Sequence, residues 1–402
     1  MKVLVLNCGS SSVKYAIFDD GADKVLADGI VERIGGFKSK LKHRFGGGAI
    51  LEQERVVPNH EEALKIIIDL LINGTIKNIS EISAVGHRIV HGGEKINRPV
   101  AIDGKVLKLL NECAELAPLH MPHNILGINV CQRILRHAVQ VAVFDTDFHQ
   151  TIPDYAYIYP IPYEYYEKYK VRKYGFHGIS HKYVAKRAAE ILNVNIEELK
   201  IISCHLGNGA SLCAIKNGKS LDTTMGFTPL AGLMMGTRCG DIDPAVVLYL
   251  MEKEGTCLDE IARILNERSG VLGISGLSSD FRDLEKAAEK GSDKALLALE
   301  MFIYRVAKGI GSFIPVLGGL DVLIFTAGVG ENSSTIRSRV CKMLQCLGIE
   351  LDEHLNLEKR GIEGIISTPA SDVKVIVIPT DEEKLIAKET IKVAEEVFTL
   401  VN

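Results

Sequence analysis

Residues 4–20 read LVLNCGSSSVKYAIFDD, which is an apolar run, a turn of small polar residues and a second apolar run. Residues 202–218, ISCHLGNGASLCAIKNG, align with them without a gap, so that Gly9 falls on Gly207. Each stretch predicts a β-hairpin with a small-residue turn. A hairpin that recurs halfway along a chain indicates a duplicated domain, although two unrelated hairpins could also align by coincidence.

Short β-branched runs alternate with helical patterns in the rest of the chain. The predicted strands include residues 84–90, 139–144, 322–326 and 373–378. The predicted helices include residues 61–72, 181–192, 244–253, 294–317 and 334–347. This alternation predicts an α/β fold with substantial parallel sheet. A last helix, from Asp381 onward, could fold onto either domain.

Length and composition exclude several classes of protein. With 402 residues the chain is too long for one ordinary core, so we expect two domains with a boundary near residues 150–153. A net charge of −4 gives no basis for a nucleic-acid or membrane-surface partner. The apolar residues 302–325 are interrupted by charges and a proline, so they do not predict a membrane span. Nine dispersed cysteines without a C-x-x-C pair favour a reducing, cytoplasmic location.

Three glycine-rich turns have the composition of phosphate-binding loops. The first, around residues 7–14, has serines and a lysine but lacks the P-loop pattern. In the second, HLGNG at residues 205–209, glycines let amides turn toward an anion, and an ordinary Asn-Gly hairpin is the alternative. In the third, TAGVGENSSTIR at residues 326–337, a strand leads through Gly-x-Gly into a helix. This arrangement is typical of nucleotide sites, although an ordinary strand-to-helix turn would look similar.

Arg88 in GHRIVHGG and Arg238 in MGTRCGDIDP lie in glycine-rich loops. A buried arginine requires an anion, either a structural carboxylate or a bound carboxylate or phosphate. Asp145 ends a predicted strand, and His177 precedes a predicted helix, where it could be only a cap or a core residue. Thr380 and Glu383 predict a capping box at the last helix.

Taken together, the chain resembles the acetate kinase family of short-chain carboxylate kinases, within the superfamily of actin, sugar kinases and heat-shock chaperone ATPases. The motifs span the chain in one order: NCGSSSVK, GHRIVHGG, FHQTIP, YGFHGISH, HLGNGAS, GFTPLAGLMMGTRCGDIDP, GLSSDFRD, TAGVGENS and PTDEE.

The resemblance implies two ribonuclease-H-like domains with mixed central sheets and a nucleotide cleft between them. The N-terminal domain would comprise residues 1–150 and 383–402. The second domain, residues 151–382, would hold most of the nucleotide site. The implied reaction is direct, reversible, Mg²⁺-dependent transfer of the ATP γ-phosphoryl group to acetate, giving acetyl phosphate and ADP. Mn²⁺ is an alternative metal, and a homodimer is implied.

The resemblance also assigns individual residues. Those of the catalytic step are Asp145, His177 and Arg238, and those of the metal are Asn7 and Glu382. Arg88 binds the substrate carboxylate, and an apolar pocket for the methyl group comprises Val90, Leu119, Phe176 and Pro229. The residues that contact ATP are Lys14, Ser10, Ser12, His205, Leu206, Gly207, Asn208, Gly209, Asp280, Phe281, Arg282, Gly328, Val329, Gly330, Glu331 and Asn332.

The sequence departs from the family pattern at Ala231, Cys239, Asp147 and Asp381. Asp381, in place of asparagine, adds charge beside the metal carboxylate and Asp147 adds charge near Asp145, so metal preference and pH optimum are the properties in question. The alternatives are a propionate or butyrate kinase on the same fold, or an ATP-regulated binding protein. Acetate is ionised at neutral pH, because carboxylic acids titrate near ~4. No general base is then required, and we expect Asp145 to orient Arg88 or metal-bound water.

Overall fold

The hairpin of residues 4–20 forms as β1 (Lys2–Cys8) and β2 (Ser12–Phe18) in the computed structural model, which describes residues 1–118 and 120–401. The chain divides into two units. Unit 1 contains Met1–Phe148 and Asp381–Asn402, and unit 2 contains His149–Thr380.

Unit 1 is built on one mixed sheet in the order β5-β4-β3-β2-β1-β6-β8-β7. Its further strands are β3 (Val25–Glu32), β4 (Ser39–Phe45), β5 (Ile50–Arg55), β6 (Ile82–Ile89), β7 (Val100–Ala101) and β8 (Val139–Phe144). Its helices are α1 (His60–Gly74), α2 (Gly104–Glu112), α3 (Met121–Ile134) and α15 (Glu382–Val401).

Unit 2 is built on a second mixed sheet in the order β11-β10-β9-β12-β14-β13. Its strands are β9 (Lys200–Leu206), β10 (Ala210–Lys216), β11 (Lys219–Thr223), β12 (Val322–Thr326), β13 (Gly364–Ile365) and β14 (Lys374–Val377). Its helices are α4 (Asp154–Tyr157), α5 (Glu164–Tyr169), α6 (Gly178–Leu192), α7 (Pro244–Glu254), α8 (Leu258–Glu267), α9 (Gly270–Ser275), α10 (Phe281–Glu289), α11 (Asp293–Leu317), α12 (Ala327–Asn332), α13 (Ser334–Met343) and α14 (Glu353–Glu358).

The two sheets share a core of five strands with the same order and directions. In β3-β2-β1-β6-β8 and in β11-β10-β9-β12-β14, the first three strands are antiparallel and the last three are parallel. The duplication predicted from the hairpins is therefore confirmed.

The gapless alignment of the two hairpins is wrong by one residue. The first turn separates the paired residues Cys8 and Val13, whereas the second separates Leu206 and Ala210, so the second turn is one residue shorter. With the first strands of the hairpins superposed, the pair Asn7–Lys14 corresponds to His205–Ser211. Turn length cannot be read from an alignment that matches only apolar runs.

Helices cover both faces of the sheet in unit 1. One face packs Leu4, Leu6 and Val85 into a core with residues of α1 and α3. Gly86 is the next residue on β6 and therefore faces the other side. A Cβ at Gly86 would lie 2.3 Å from Thr390 Oγ1 of α15. This close approach requires glycine and places the start of α15 beside the ends of β1, β6 and β8.

Strands β3, β4 and β5 were not among the predicted elements. Alternate residues of β4 are buried, but two of them are Ser39 and His43, so the inward face lacks an apolar pattern. His43 Nδ1 hydrogen-bonds Tyr15 Oη at 2.6 Å, and this bond takes the place of apolar packing. Hydrophobic alternation is the main sequence signal for a strand, and here it is missing.

In unit 2, α6 packs on β9 and β12, while α11 packs on β9, β10 and β11. The apolar stretch 302–325 belongs partly to α11 and partly to β12. Among the described helices, none combines the length and the apolar character needed to cross a membrane.

We predict that Gly86→Ala lowers the midpoint of thermal unfolding, because its Cβ would lie 2.3 Å from Thr390 Oγ1 and 2.8 Å from Ile386 Cγ2. Overpacking of this kind costs about 1–3 kcal/mol. Gly104→Ala in α2 is the control, since no atom lies within 4 Å of the new Cβ. Equal midpoints for the two variants in a thermal melt would contradict the tight packing of α15 on β6.

Candidate active site

Three polar residues of unit 1 lie at the carboxyl ends of its parallel strands. Asn7 is near the end of β1, Arg88 is near the end of β6, and Asp145 directly follows β8. Parallel strands end at one edge of a sheet, which is where open α/β sheets bind ligands. The amide of Asp145 donates to Ile89 O at 2.9 Å, and this bond holds the end of β8 beside that of β6.

Arg88 is held by two carboxylates. Its Nε and Nη2 donate to the two oxygens of Asp145 at 3.0 and 2.9 Å, and its Nη1 lies 3.3 Å from Glu382 Oε2. Burial disfavours the charge of Arg88, but Asp145, Glu382 and Glu383 more than offset this, so the pKa of Arg88 is raised. The two bonds to Asp145 fix the direction of the guanidinium fork.

The start of α15 differs from the predicted capping box. Asp381 Oδ1 accepts from the amide of Lys384 at 3.0 Å and so occupies the cap position assigned to Thr380. Glu383, predicted to reach back to the cap, instead pairs with Lys14. The reason is a contact with a distant segment: the amide of Thr380 donates to Glu331 Oε1 at 3.0 Å, which holds Thr380 outside the helix. Burial raises the pKa of Asp381.

The first glycine-rich turn is exposed at its tip. Gly9 N donates to Ser12 O at 2.8 Å, and His60 Nε2 hydrogen-bonds Gly9 O at 2.7 Å. Within the described part of the chain, the hydroxyls of Ser10 and Ser12 make no hydrogen bond to a histidine or a carboxylate. The turn therefore lacks the serine–base pair of a covalent nucleophile.

In unit 2, His177 and His205 stack with ring centroids 4.0 Å apart. His205 is near the end of β9, while His177 caps α6 with a left-handed backbone, φ +57°. His177 Nδ1 hydrogen-bonds Ser211 Oγ at 2.9 Å, and His205 Nδ1 hydrogen-bonds Ser180 Oγ at 2.8 Å. Each imidazole is thus oriented by a serine through its Nδ1 atom.

Arg238 lies beside His177 at the second glycine-rich turn. A Cβ on Gly209 would be 3.5 Å from both Arg238 Nη1 and His177 Nε2. Arg238 Nη1 donates to Pro229 O at 3.2 Å. In residues 1–118 and 120–401, no carboxylate pairs with Arg238, and burial lowers its pKa. A partly buried arginine without a counter-ion is a site for an anionic ligand.

Unit 2 also contains a cavity of about 660 Å³. Its lining includes eight of the residues predicted to contact ATP, namely Gly207, Asn208, Asp280, Phe281, Arg282, Gly328, Val329 and Asn332. The three motifs around residues 207, 280 and 328 are therefore brought together. The other lining residues, which the sequence did not point to, are Ser279, Glu285, Ser333 and Arg360.

The other eight predicted ATP residues do not line this cavity, namely Ser10, Ser12 and Lys14 of unit 1 and His205, Leu206, Gly209, Gly330 and Glu331 of unit 2. Gly330 and Glu331 stabilise the loop instead, because their carbonyls accept hydrogen bonds from Arg337 Nη1 at 2.9 and 2.7 Å. Ser333 could have been found as the cap of α13, since its Oγ accepts from Ile336 N. Arg360, which donates to Asn332 O at 3.0 Å, has no local sequence signal.

The predicted methyl pocket is only partly described. Val90 in unit 1 packs against an apolar cluster, and its amide donates to Asn124 Oδ1 at 3.1 Å. Phe176 is buried in unit 2, and Pro229 is half-buried there. Leu119 lies outside the described residues.

Comparison with known proteins finds relatives that match nearly the whole chain. The acetokinase family profile matches residues 2–388. The chain belongs to the acetokinase family. The acetate kinase of Thermoanaerobacterium thermosaccharolyticum is 58% identical, with 98% of this chain and 99% of that relative covered. The predicted resemblance is thereby confirmed, and a phosphotransferase is favoured over an ATP-regulated binding protein.

Solved structures agree with this assignment to the acetokinase family. Porphyromonas gingivalis acetate kinase superposes with a TM-score of 0.93 and 48% identity, covering 98% of this chain and 99% of that one. A propionate kinase from Francisella tularensis subsp. tularensis SCHU S4 superposes with a TM-score of 0.92 and 41% identity, covering 97% and 99%. The duplicated two-domain kinase fold is confirmed, and the second structure keeps the propionate alternative relevant.

We predict that buried His149 destabilises the protein in acid. Burial lowers the pKa of His149 from 6.5 to about 4. Between these values the unfolded chain binds a proton that the folded chain does not, so stability falls as pH falls through this window. The unfolding midpoint of His149→Gln should therefore fall less steeply than that of the wild type from pH 6.5 to about 4. His354→Gln, at an exposed position, is the control, and parallel slopes for His149→Gln would refute the prediction.

Proposed function

We propose that this chain catalyses reversible transfer of the ATP γ-phosphoryl group to acetate, giving acetyl phosphate and ADP. The observation that carries the proposal is the cavity of about 660 Å³ in unit 2, which gathers three motifs that begin near residues 207, 280 and 328 of the sequence. A cavity of this volume is in the range of sites for drug-sized ligands and cofactors, ~300–1,000 Å³.

The nucleotide is assigned to this cavity. Gly207 and Gly328 line it, and no atom lies within 4 Å of a Cβ built on Gly328, so its backbone is open to a ligand. Backbone amides in such turns bind phosphate oxygens. Arg360 and Arg282 place guanidinium donors at the lining, where Arg282 pairs with Asp280. We assign Lys14 and the turn with Ser10 and Ser12 to the phosphates as well.

Arg88 is assigned to the substrate carboxylate. Asp145 occupies Nε and Nη2 of its guanidinium, while Glu382 lies 3.3 Å from Nη1. Nη1 is thus the nitrogen that Asp145 leaves for the substrate carboxylate, on the side of Glu382. We assign Asp145 to the orientation of Arg88, because acetate is already ionised near neutral pH and requires no base.

A divalent metal, Mg²⁺ or Mn²⁺, is assigned to Asn7 and Glu382. Both offer oxygen ligands, and Mg²⁺ in phosphoryl-transfer sites uses one or two carboxylates together with substrate phosphates. Residues 1–118 and 120–401 contain no cluster of three or more His, Cys, Asp or Glu side chains able to hold a metal. When bound, the ion would neutralise charge on the phosphate oxygens.

His177 and Arg238 are assigned to the transferring phosphoryl group. The barrier arises because an anionic carboxylate approaches an anionic phosphate, so catalysis consists of positioning and charge neutralisation. Arg238 supplies a charge that no described carboxylate cancels. His177 Nε2 lies next to it at Gly209.

We predict acyl phosphate formation with acetate and ATP, measured as the hydroxamate. Propionate should react more slowly, since one extra methylene costs ~1–3 kcal/mol in a small pocket. EDTA should abolish the reaction, and added Mg²⁺ should restore it. Equal kcat/KM for acetate and propionate would contradict the assignment to acetate and favour a propionate kinase.

Arg238→Ala should lower kcat by roughly 10³–10⁵, as expected for an arginine that stabilises a transferring phosphoryl group. Arg263→Ala is the control, because Arg263 is exposed and pairs with Glu260 in α8. The measurement is steady-state kinetics with both substrates varied. A change confined to KM would show that Arg238 binds the ground state instead.

We also propose a homodimer formed through α7. No residue of this helix is buried, yet it carries Val246, Leu248 and Tyr249, which are 44%, 70% and 59% exposed. A monomer rarely exposes a large apolar patch, so a second copy of the chain is the proposed occupant.

Light scattering after gel filtration should give twice the mass of 44.0 kDa for the wild type. Leu248→Asp should shift the mass toward 44.0 kDa, because a carboxylate is costly to bury at an interface. Phe37→Asp, at a fully exposed position in unit 1, is the control. A dimer that persists in Leu248→Asp would exclude α7 as the interface.

A cytoplasmic location is proposed from the cysteines. All nine are free thiols, which is typical of a reducing compartment. Cell fractionation with an antibody against the chain tests this, and recovery from a membrane or secreted fraction would contradict it.

A further inference from the structure

Beneath α6, the sheet of unit 2 carries polar residues where apolar ones would be expected. Ser203 on β9 and Ser211 on β10 are fully buried, and so is His181 of α6. Ser203 and His205 are two residues apart on one strand, and Ser211 pairs with His205, so all three share one face of the sheet. Buried polar groups of this kind are retained only when they are hydrogen-bonded.

Ser203, His181 and Ser211 form a single series of hydrogen bonds that ends at His177. Ser203 Oγ lies 2.6 Å from His181 Nδ1. His181 Nε2 lies 2.8 Å from Ser211 Oγ. Ser211 Oγ lies 2.9 Å from His177 Nδ1.

The protons in this chain can be arranged in two ways. Burial lowers the pKa of His181 well below 6.5, so its imidazole is neutral and has one N–H. If Nε2 carries that proton, it donates to Ser211, whose hydroxyl is then available to donate to His177 Nδ1. If Nδ1 carries it, both donations reverse, and His177 must donate from its own Nδ1. Because the Ser211 hydroxyl has one proton, the tautomer of His181 determines whether Ser211 donates to His177 Nδ1 or accepts from it.

Ser203 decides between the two arrangements. Among the described residues, its hydroxyl oxygen has one hydrogen-bond partner, His181 Nδ1. In the second arrangement that oxygen would accept from His181, and the buried hydroxyl proton of Ser203 would have no acceptor. An unsatisfied buried donor costs about 1–3 kcal/mol. In the first arrangement, the hydroxyl protons of Ser203 and Ser211 and the N–H of His181 all have acceptors.

We propose that Ser203, His181 and Ser211 are positioning residues that fix the tautomer of neutral His177, with Nδ1 as acceptor and the proton on Nε2. His177 Nε2 is the atom that lies beside Arg238 at Gly209. This inference rests on the proposed function, in which His177 contacts the phosphoryl group. An Nε2–H donates to a phosphate oxygen, whereas a lone pair at that atom would repel it.

The test is the tautomeric state of His177, measured by long-range ¹H–¹⁵N correlation spectra of the [¹⁵N]histidine-labelled full chain. The signal of His177 is assigned by its loss in His177→Gln. In the wild type we expect the Nε2–H tautomer. Ser203→Ala and Ser211→Ala should each give a mixture of tautomers, and Ser203→Thr, which keeps the hydroxyl, should restore the wild-type state.

A neutral wild-type His177 with its proton on Nδ1 would overturn the proposal, even if the alanine variants fail to fold. An unchanged tautomer in both alanine variants would also overturn it. Kinetics provide the link to catalysis: kcat of Ser203→Ala should fall by the same factor as its Nε2–H population, with both KM values unchanged. If His177→Gln keeps the wild-type kcat, the assigned role of His177 fails, while the tautomer measurement still decides the present inference.

Discussion

Parallel strands that end at one edge of a sheet determine where this chain can place its charged side chains. The strands β1, β6 and β8, like β9, β12 and β14, are covered by helices, so their interiors are mainly apolar, and buried Ser203 in β9 is an exception. Polar side chains are then easiest to place where the strands end. The duplicated sheet repeats that edge, and each copy carries an arginine, Arg88 in unit 1 and Arg238 in unit 2.

The two arginines differ in whether a carboxylate balances their buried charge. Arg88 is neutralised by carboxylates of its own unit, which fix the direction of its fork. Arg238 has no carboxylate partner within the described residues and makes only a carbonyl and a thioether contact. The first arrangement favours orientation of a ligand, and the second favours attraction of an anion. Such a division of roles fits a reaction limited by the approach of two anions.

Sequence patterns predicted the features that rest on local physics. Strands β8 and β12 have their predicted bounds because each is a bounded apolar run. Strand β4 was missed because Ser39 and His43 face inward. In the site, glycine turns were found from composition. The cap at Asp381 and the lining residue Arg360 were not predicted from the sequence, because both depend on contacts between distant segments. The buried serine–histidine chain was missed for the same reason.

In the proposed reaction, the ionised carboxylate of the substrate attacks the γ-phosphorus directly, without a phosphorylated side chain. The most direct measurement is isotope exchange between labelled ADP and ATP in the absence of acetate. Direct transfer predicts no exchange until acetate is added, because ADP cannot be released before an acyl phosphate forms. Exchange at a comparable rate without acetate would show a covalent phosphoenzyme and would contradict the account.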